Sequence, residues 1–223
     1  MLAVERAAYL TIEEGPAEDF MQKIIYLNAN GIRAIWFCLG KALEENLEAA
    51  LYAIQTGHVI GNRGYDFADF STISLMDARG QIERTDRLID DLYARTDIAR
   101  PIKVFRFPFM QDDKNQEHFA GIQLALEQLG YQQPAFENIH CAAQDEASLK
   151  QGLHVVCTQD TFDLGLEVSS SEGSRPFGSA GNEIILIHDW IAVDPFKALL
   201  NSLLAKGISF QLPREMKQPA AAF

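Results

Sequence analysis

The chain has 223 residues, enough for one large α/β domain or two small ones, and nothing in it marks a boundary between two. Hydrophobic residues make up 48%, so a sizeable core can be buried and wholesale disorder is excluded. Nineteen Lys and Arg against 31 Asp and Glu leave a net charge of −12, which repels phosphate backbones and anionic lipid and argues against nucleic acid and membrane as partners.

The acidic residues are scattered, as on a well-solvated surface. No run approaches the roughly 18 apolar residues a membrane span needs. No basic-then-apolar leader precedes the first predicted strand, which points to the cytoplasm. Cys38, Cys141 and Cys157 form no Cys-x-x-Cys pair, and their apolar neighbours read as those of buried, reduced thiols.

Strand and helix alternate along the chain. Ala7–Ile12 is a predicted strand, stopped by Gly15-Pro16. From Ala17 to Asn30, Phe20, Ile24, Ile25 and Leu27 recur at helical spacing, with Gly31 placed to cap the end. Ala34–Leu39 is the next strand and Leu43–Thr56 the next helix, closed by Gly57. Val59–Asn62 is a short strand that opens into an irregular segment through Phe70. Ser74–Ala94 reads as a long polar helix with Leu75, Ile82, Leu88, Ile89 and Leu92 inward.

Lys103–Phe107 is a strand stopped by Pro108, and Gln116–Leu129 a helix capped by Gly130. His154–Thr158 and Glu183–His188 are strands separated by the Ser- and Gly-rich stretch Ser169–Asn182, short enough for a loop. Pro195–Lys206 is a helix and Ile208–Leu212 a last strand. Residues 1–212 therefore read as one α/β domain of parallel strands with crossover helices, and residues 213–223 as a loose tail.

Parallel α/β folds carry their chemistry at the carboxyl ends of the strands. Those positions hold Glu13 and Glu14; Asn62, Arg63, Tyr65 and Asp66; Arg106; Asp160 and Asp163; and His188 with Asp189. Carboxylates, two arginines and a histidine on one face suit acid/base chemistry or the binding of a polar ligand.

The same positions carry a resemblance to a known family. Thr11-Ile12-Glu13-Glu14-Gly15-Pro16 resembles the Thr-Phe-Asp-Asp-Gly-Pro opening motif of NodB-homology polysaccharide deacetylases. Gly57–Asn62 is similar to their Gly-His-Glu-Ile-Gly-Asn lead-in to a His-x-x-x-His motif, and Arg106–Phe109 to their Arg-x-Pro-Tyr motif. Asp160–Asp163 falls at an Asp-x-x-Asp-Trp pattern, and Ile184–Asp189 at the closing Leu-x-His motif. The resemblance implies a distorted (β/α) barrel with fewer than eight strands. It also implies hydrolysis of N- or O-acetyl groups on a sugar, with a divalent metal such as zinc held by one Asp and two His.

Carried over by position, that metal scheme breaks. Glu13 stands at the general base and Glu14 at the metal-ligand Asp, while Arg63 and Phe67 occupy the two metal histidines. A cation cannot ligate a cation, and a phenyl ring has no lone pair to give. Arg106 and His188, the implied general acid, remain, while Leu164 replaces the Trp and Phe109 the Tyr. No bound metal is therefore expected, and an Arg63–Glu14 ion pair is expected to fill the vacated site.

Asp66 would add only a second carboxylate, His118, His140 and His154 read as surface or packing residues, and His58 should point away. Three functions stay open. One is a non-catalytic or weakly active relative that binds a small carbohydrate or N-acylated ligand, with Asp160, Tyr65 and Phe109 in contact with it and Phe67 either stacking or core. Another is a hydrolase using Glu13 as base, His188 as acid, Asp163 in the cleft and Arg63 with Arg106 at the oxyanion. The last is an interaction module with a vestigial cleft.

Overall fold

The computed structural model describes residues 6–110, 115–139, 152–161 and 181–216. Among these residues six strands alternate with helices: β1 (Arg6–Gly15), α1 (Phe20–Ala29), β2 (Ala34–Cys38), α2 (Gly40–Glu45), α3 (Leu47–Gln55) and β3 (Val59–Asn62) come first. After them come α4 (Leu75–Thr96), α5 (Gln116–Gln128), β4 (Gln159–Asp160), β5 (Glu183–His188), α6 (Val193–Ala205) and β6 (Ile208–Phe210). The strands pair in parallel in the order β3-β2-β1-β5-β4, with β6 joined to the start of β1. No helix among the described residues is long and apolar enough to cross a membrane.

Beyond β3 the ladder thins to single bridges. Asn62 bridges Phe105, and Phe105 bridges His154, five residues before β4 begins. Neighbouring strands are thus linked around both sides of the fold, by full ladders on one side and isolated bridges on the other. This is the parallel, distorted barrel architecture expected.

The expected strand Lys103–Phe107 is reduced to its bridge at Phe105, flanked by Pro101 and Pro108, which lack an N–H to give a ladder. The expected strand His154–Thr158 likewise reduces to a bridge, and pairing with β5 begins at Gln159. The expected helix Leu43–Thr56 starts earlier and breaks at Asn46 into α2 and α3, where the Asn46 side chain bonds the carbonyl of Ala42.

Side-chain alternation divides the strands between two cores. Ala8, Leu10 and Ile12 of β1 join Trp36 of β2, Ile185 and Ile187 of β5, and helix residues such as Phe20, Leu27 and Phe196. Ile25 of α1 instead points outward. Ile35, Phe37 and Val59 pack on the other face with Val104, Val155, Leu212 and Met216. The chain therefore stays packed through the 3₁₀ turn Arg214–Met216, further than the tail expected from Pro213. Leu75, expected inward, is half exposed at the start of α4.

Cys38 is buried and Cys157 only partly so, while Cys141 lies outside the described residues. His58 is buried with its Nδ1 accepting from Ala34 N, which fixes a neutral ring away from the site.

Candidate functional site

Because Ala8, Leu10 and Ile12 face the helices, strand periodicity turns Thr11 and Glu13 to the opposite face. The parallel register sets Glu13 beside Phe37 of β2 and His188 of β5. Glu14 should then point away, yet the pairing of β1 with β2 shifts between Glu13 and Gly15, and Glu14 takes a left-handed φ of 72°. Such a bulge re-aims a side chain. Two consecutive carboxylates thereby serve one site, at a backbone cost a non-glycine residue bears only when its surroundings hold it.

Those surroundings are a buried ion pair. Asp189 follows His188, and its carboxylate accepts from Lys23 of α1 at 2.8 Å and from Ala17 N at 2.7 Å. A side chain at Gly15 would strike that carboxylate, since an added Cβ falls 2.3 Å from its Oδ2. Neither Lys23 nor the structural part played by Asp189 is visible from sequence spacing.

Arg63 follows β3 and is almost fully buried. Its Nη1 donates to Glu13 Oε2 at 2.5 Å, while Nη2 donates to Glu14 Oε1 and to Pro108 O, both at 3.3 Å. The expected pair with Glu14 therefore forms, but the shorter contact is to Glu13. Arg106 is fixed by Val155 O at 3.0 Å and Thr11 Oγ1 at 2.9 Å, and it reaches Glu13 Oε2 at 3.4 Å. One carboxylate oxygen thus faces two guanidinium groups.

His188 completes the cluster, with Nδ1 3.2 Å from Glu14 Oε2 and 3.5 Å from Glu13 Oε1, and Nε2 3.6 Å from Asp160 Oδ1. Its contacts with Asp160 and then Glu14 outweigh burial and raise its pKa to about 9, so the ring is a cation at neutral pH. Burial works to raise the Glu14 pKa, but the His188 hydrogen bond and the Arg63 charge prevail and hold it below its ordinary value. Three carboxylates (Glu13, Glu14, Asp160) and three cations (Arg63, Arg106, His188) leave the cluster balanced.

Does this set suit a divalent metal? Ligand atoms of Glu13, Glu14 and His188 lie within 4.8 Å of one another, the size of a metal cluster. The Arg63 guanidinium, however, bonds to both carboxylates and so engages the oxygens that a metal would need. The residues present do not fit a resident metal.

The other expected residues divide. Phe109 lines the adjoining pocket and is 45% exposed. Phe67 is 56% exposed, not core, with its ring 5.8 Å from the Arg63 guanidinium. Tyr65 faces elsewhere: Arg84 covers its ring at 3.4 Å, and its hydroxyl donates to Glu44. Asp66 accepts from Gln81 and takes no part in the cluster. Asp163, Leu164 and His140 lie outside the described residues. Trp190, not anticipated, stacks on His188 with centroids 5.4 Å apart and planes at 27°.

Beside the cluster a pocket of about 390 Å³ is bounded by Glu13, Arg63 and Arg106 and by apolar side chains that include Phe107, Phe109 and Leu186.

Comparisons agree with this architecture. A peptidoglycan-N-acetylglucosamine deacetylase of Bacillus cereus is 30% identical over 84 residues, which span 37% of this chain and only 30% of that relative. A family 4 carbohydrate esterase from Streptomyces lividans, solved in complex with acetate, matches with a TM-score of 0.65 at 20% identity over 92% of each chain. A CE4 family pseudoenzyme from Bacillus anthracis matches with a TM-score of 0.61 at 16% identity, over 92% of this chain and 62% of that one. The family model for polysaccharide deacetylase matches residues 3–134, more than half of the chain. The chain belongs to the polysaccharide deacetylase family.

Proposed function

We propose that this protein is a binding relative of the polysaccharide deacetylases, in which Arg63 takes the place of the metal and the cleft holds a small saccharide or N-acylated ligand without metal-assisted hydrolysis. The observation that carries this reading is the pair of bonds from Arg63 to Glu13 and Glu14, at 2.5 and 3.3 Å. A fixed guanidinium supplies positive charge and directional donors, yet it cannot bind water as a Lewis acid and lower its pKa from about 15.7 towards 7. Glu13, at the position of the base, has one oxygen engaged by both Arg63 and Arg106. It is poorly placed to take a proton from water.

The Bacillus cereus relative acts on peptidoglycan N-acetylglucosamine by its name, so N-acetylated oligosaccharides are the first ligands to try. A ligand that binds only the folded state raises the melting temperature, by an amount set by its concentration relative to Kd. A rise with chito-oligosaccharides and no acetate release supports the reading; no rise with any acetylated saccharide counts against it.

One observation favours a second reading. His188 is held protonated beside Glu14, as a general acid must be. In that case Glu13 would be the base, and Arg63 with Arg106 would stabilise the oxyanion. Acetate release that persists in excess chelator and disappears in His188→Gln would move the function to this class.

A further inference from the structure

The pocket's floor and wall differ in chemistry. On the floor are two guanidinium groups and one carboxylate, those of Arg63, Arg106 and Glu13. Both arginines are almost fully buried. Glu14 and Asp160 are not among the described residues that line the pocket, where the two guanidinium groups outnumber the single carboxylate. The wall is mostly apolar, formed by Phe107, Phe109, Met110 and Phe119 with Leu186, and His154 and Cys157 also line it.

Hydrogen-bonding capacity is equally lopsided. Each guanidinium carries five N–H donors and no acceptor. The floor carboxylate is already engaged, with Glu13 Oε2 bound by Arg63 and Arg106 and Oε1 3.5 Å from His188. On Arg106, Nη2 reaches Val156 O alone among the described residues, at 3.5 Å. Donors are therefore in surplus where acceptors are used up. A hydrocarbon body would pack on the phenyl and thioether wall while a charged end met the surplus donors.

We infer that this pocket takes an organic monocarboxylate with an apolar body, its charged end against the Arg63 and Arg106 floor and its body along Phe107, Phe109 and Phe119. The inference rests on the reading that this cleft binds ligands, and it names the chemistry of the buried end. A carboxylate gains charge-assisted hydrogen bonds that its neutral amide lacks, in a setting where water is displaced by apolar side chains.

Calorimetric titration of the wild-type chain with hexanoate, hexanamide and hexylamine at neutral pH tests it, with chito-oligosaccharide in a separate run. Hexanoate is expected to bind about tenfold or more tightly than hexanamide, the weight of one charge-assisted pair, with hexylamine silent. Phe109→Ala, at a half-exposed wall position, should weaken hexanoate and leave the fold intact. Hexanamide binding as tightly as hexanoate, or saccharide binding with no hexanoate binding, would overturn the inference alone. No binding of either class would overturn the inference together with the saccharide reading.

Discussion

Two buried clusters of arginine and carboxylate meet at Asn62, and the front one lines a pocket. Behind Asn62, Arg100 pairs with Asp86 at 2.7 Å and Asp90 at 2.8 Å, and Lys103 adds a second cation to Asp86. Tyr131 links the cluster to Asn62, donating to Asp86 and accepting from Asn62 Nδ2. In front, Arg63 joins Glu13 and Glu14. Both clusters leave guanidinium nitrogens without partners, Arg100 Nε and Nη2 behind and Arg63 Nε in front. An orphaned donor or a buried ion pair is therefore no mark of function by itself. The front cluster differs by its pocket, its left-handed Glu14 and its protonated His188.

The rear cluster should act on stability alone. Asp86→Ala leaves Arg100 with Asp90 alone and Tyr131 without its acceptor, and is expected to cost about 3 kcal/mol in urea unfolding, because a hydrogen-bonded buried carboxylate is lost. Ligand affinity of the folded fraction should be unchanged.

The front cluster should trade stability for a new property. Arg63→Met removes one cation, while Arg106 and His188 still face the two carboxylates, so a loss of about 1–3 kcal/mol is expected. Without the guanidinium, the Glu13, Glu14 and His188 atoms are free to gather on a cation, and calorimetry should detect zinc uptake in the variant. A variant as silent to zinc as the wild type would show that Arg63 is not what blocks the site.

His188 gives the front cluster a pH signature the rear one lacks. Its folded pKa of about 9 lies above the ordinary 6.5, so between those values the folded chain holds a proton that the unfolded chain has lost. The stabilisation is complete below pH 6.5 and vanishes as pH rises through 9, a fall on the order of 2 kcal/mol once solvent screening of the half-buried ring is allowed for. Urea midpoints measured across that range should decline in the wild type and flatten in His188→Gln.

The smallest effect belongs to the rim. Phe67→Ala removes a cation–π contact at an exposed position and should cost about 0.5–1 kcal/mol at most. A larger loss in thermal unfolding would mean that Phe67 packs more tightly than its exposure implies.

Most of the front cluster was legible in sequence because its residues sit at strand ends, where spacing alone fixes the face. Glu13, Arg63, Arg106 and His188 converge as the order of motifs implied. What spacing could not convey was the bulge at Glu14, beside which the Lys23–Asp189 pair joins parts of the chain 166 residues apart. Nor could spacing convey that Arg84 of α4 covers the Tyr65 ring. The expected strands beside Phe105 and His154 shrink to bridges because an apolar run looks like a strand whether or not a ladder can form, and beside Phe105 the flanking prolines cannot donate to one.

The central claim is that Arg63 is the resident cation of this cleft. Elemental analysis of wild-type protein purified without chelator, repeated after dialysis against zinc, tests it most directly. No stoichiometric metal is expected in either sample. One tightly held zinc per chain would contradict it, since Glu13 and Glu14 cannot hold the metal and keep their bonds to Arg63.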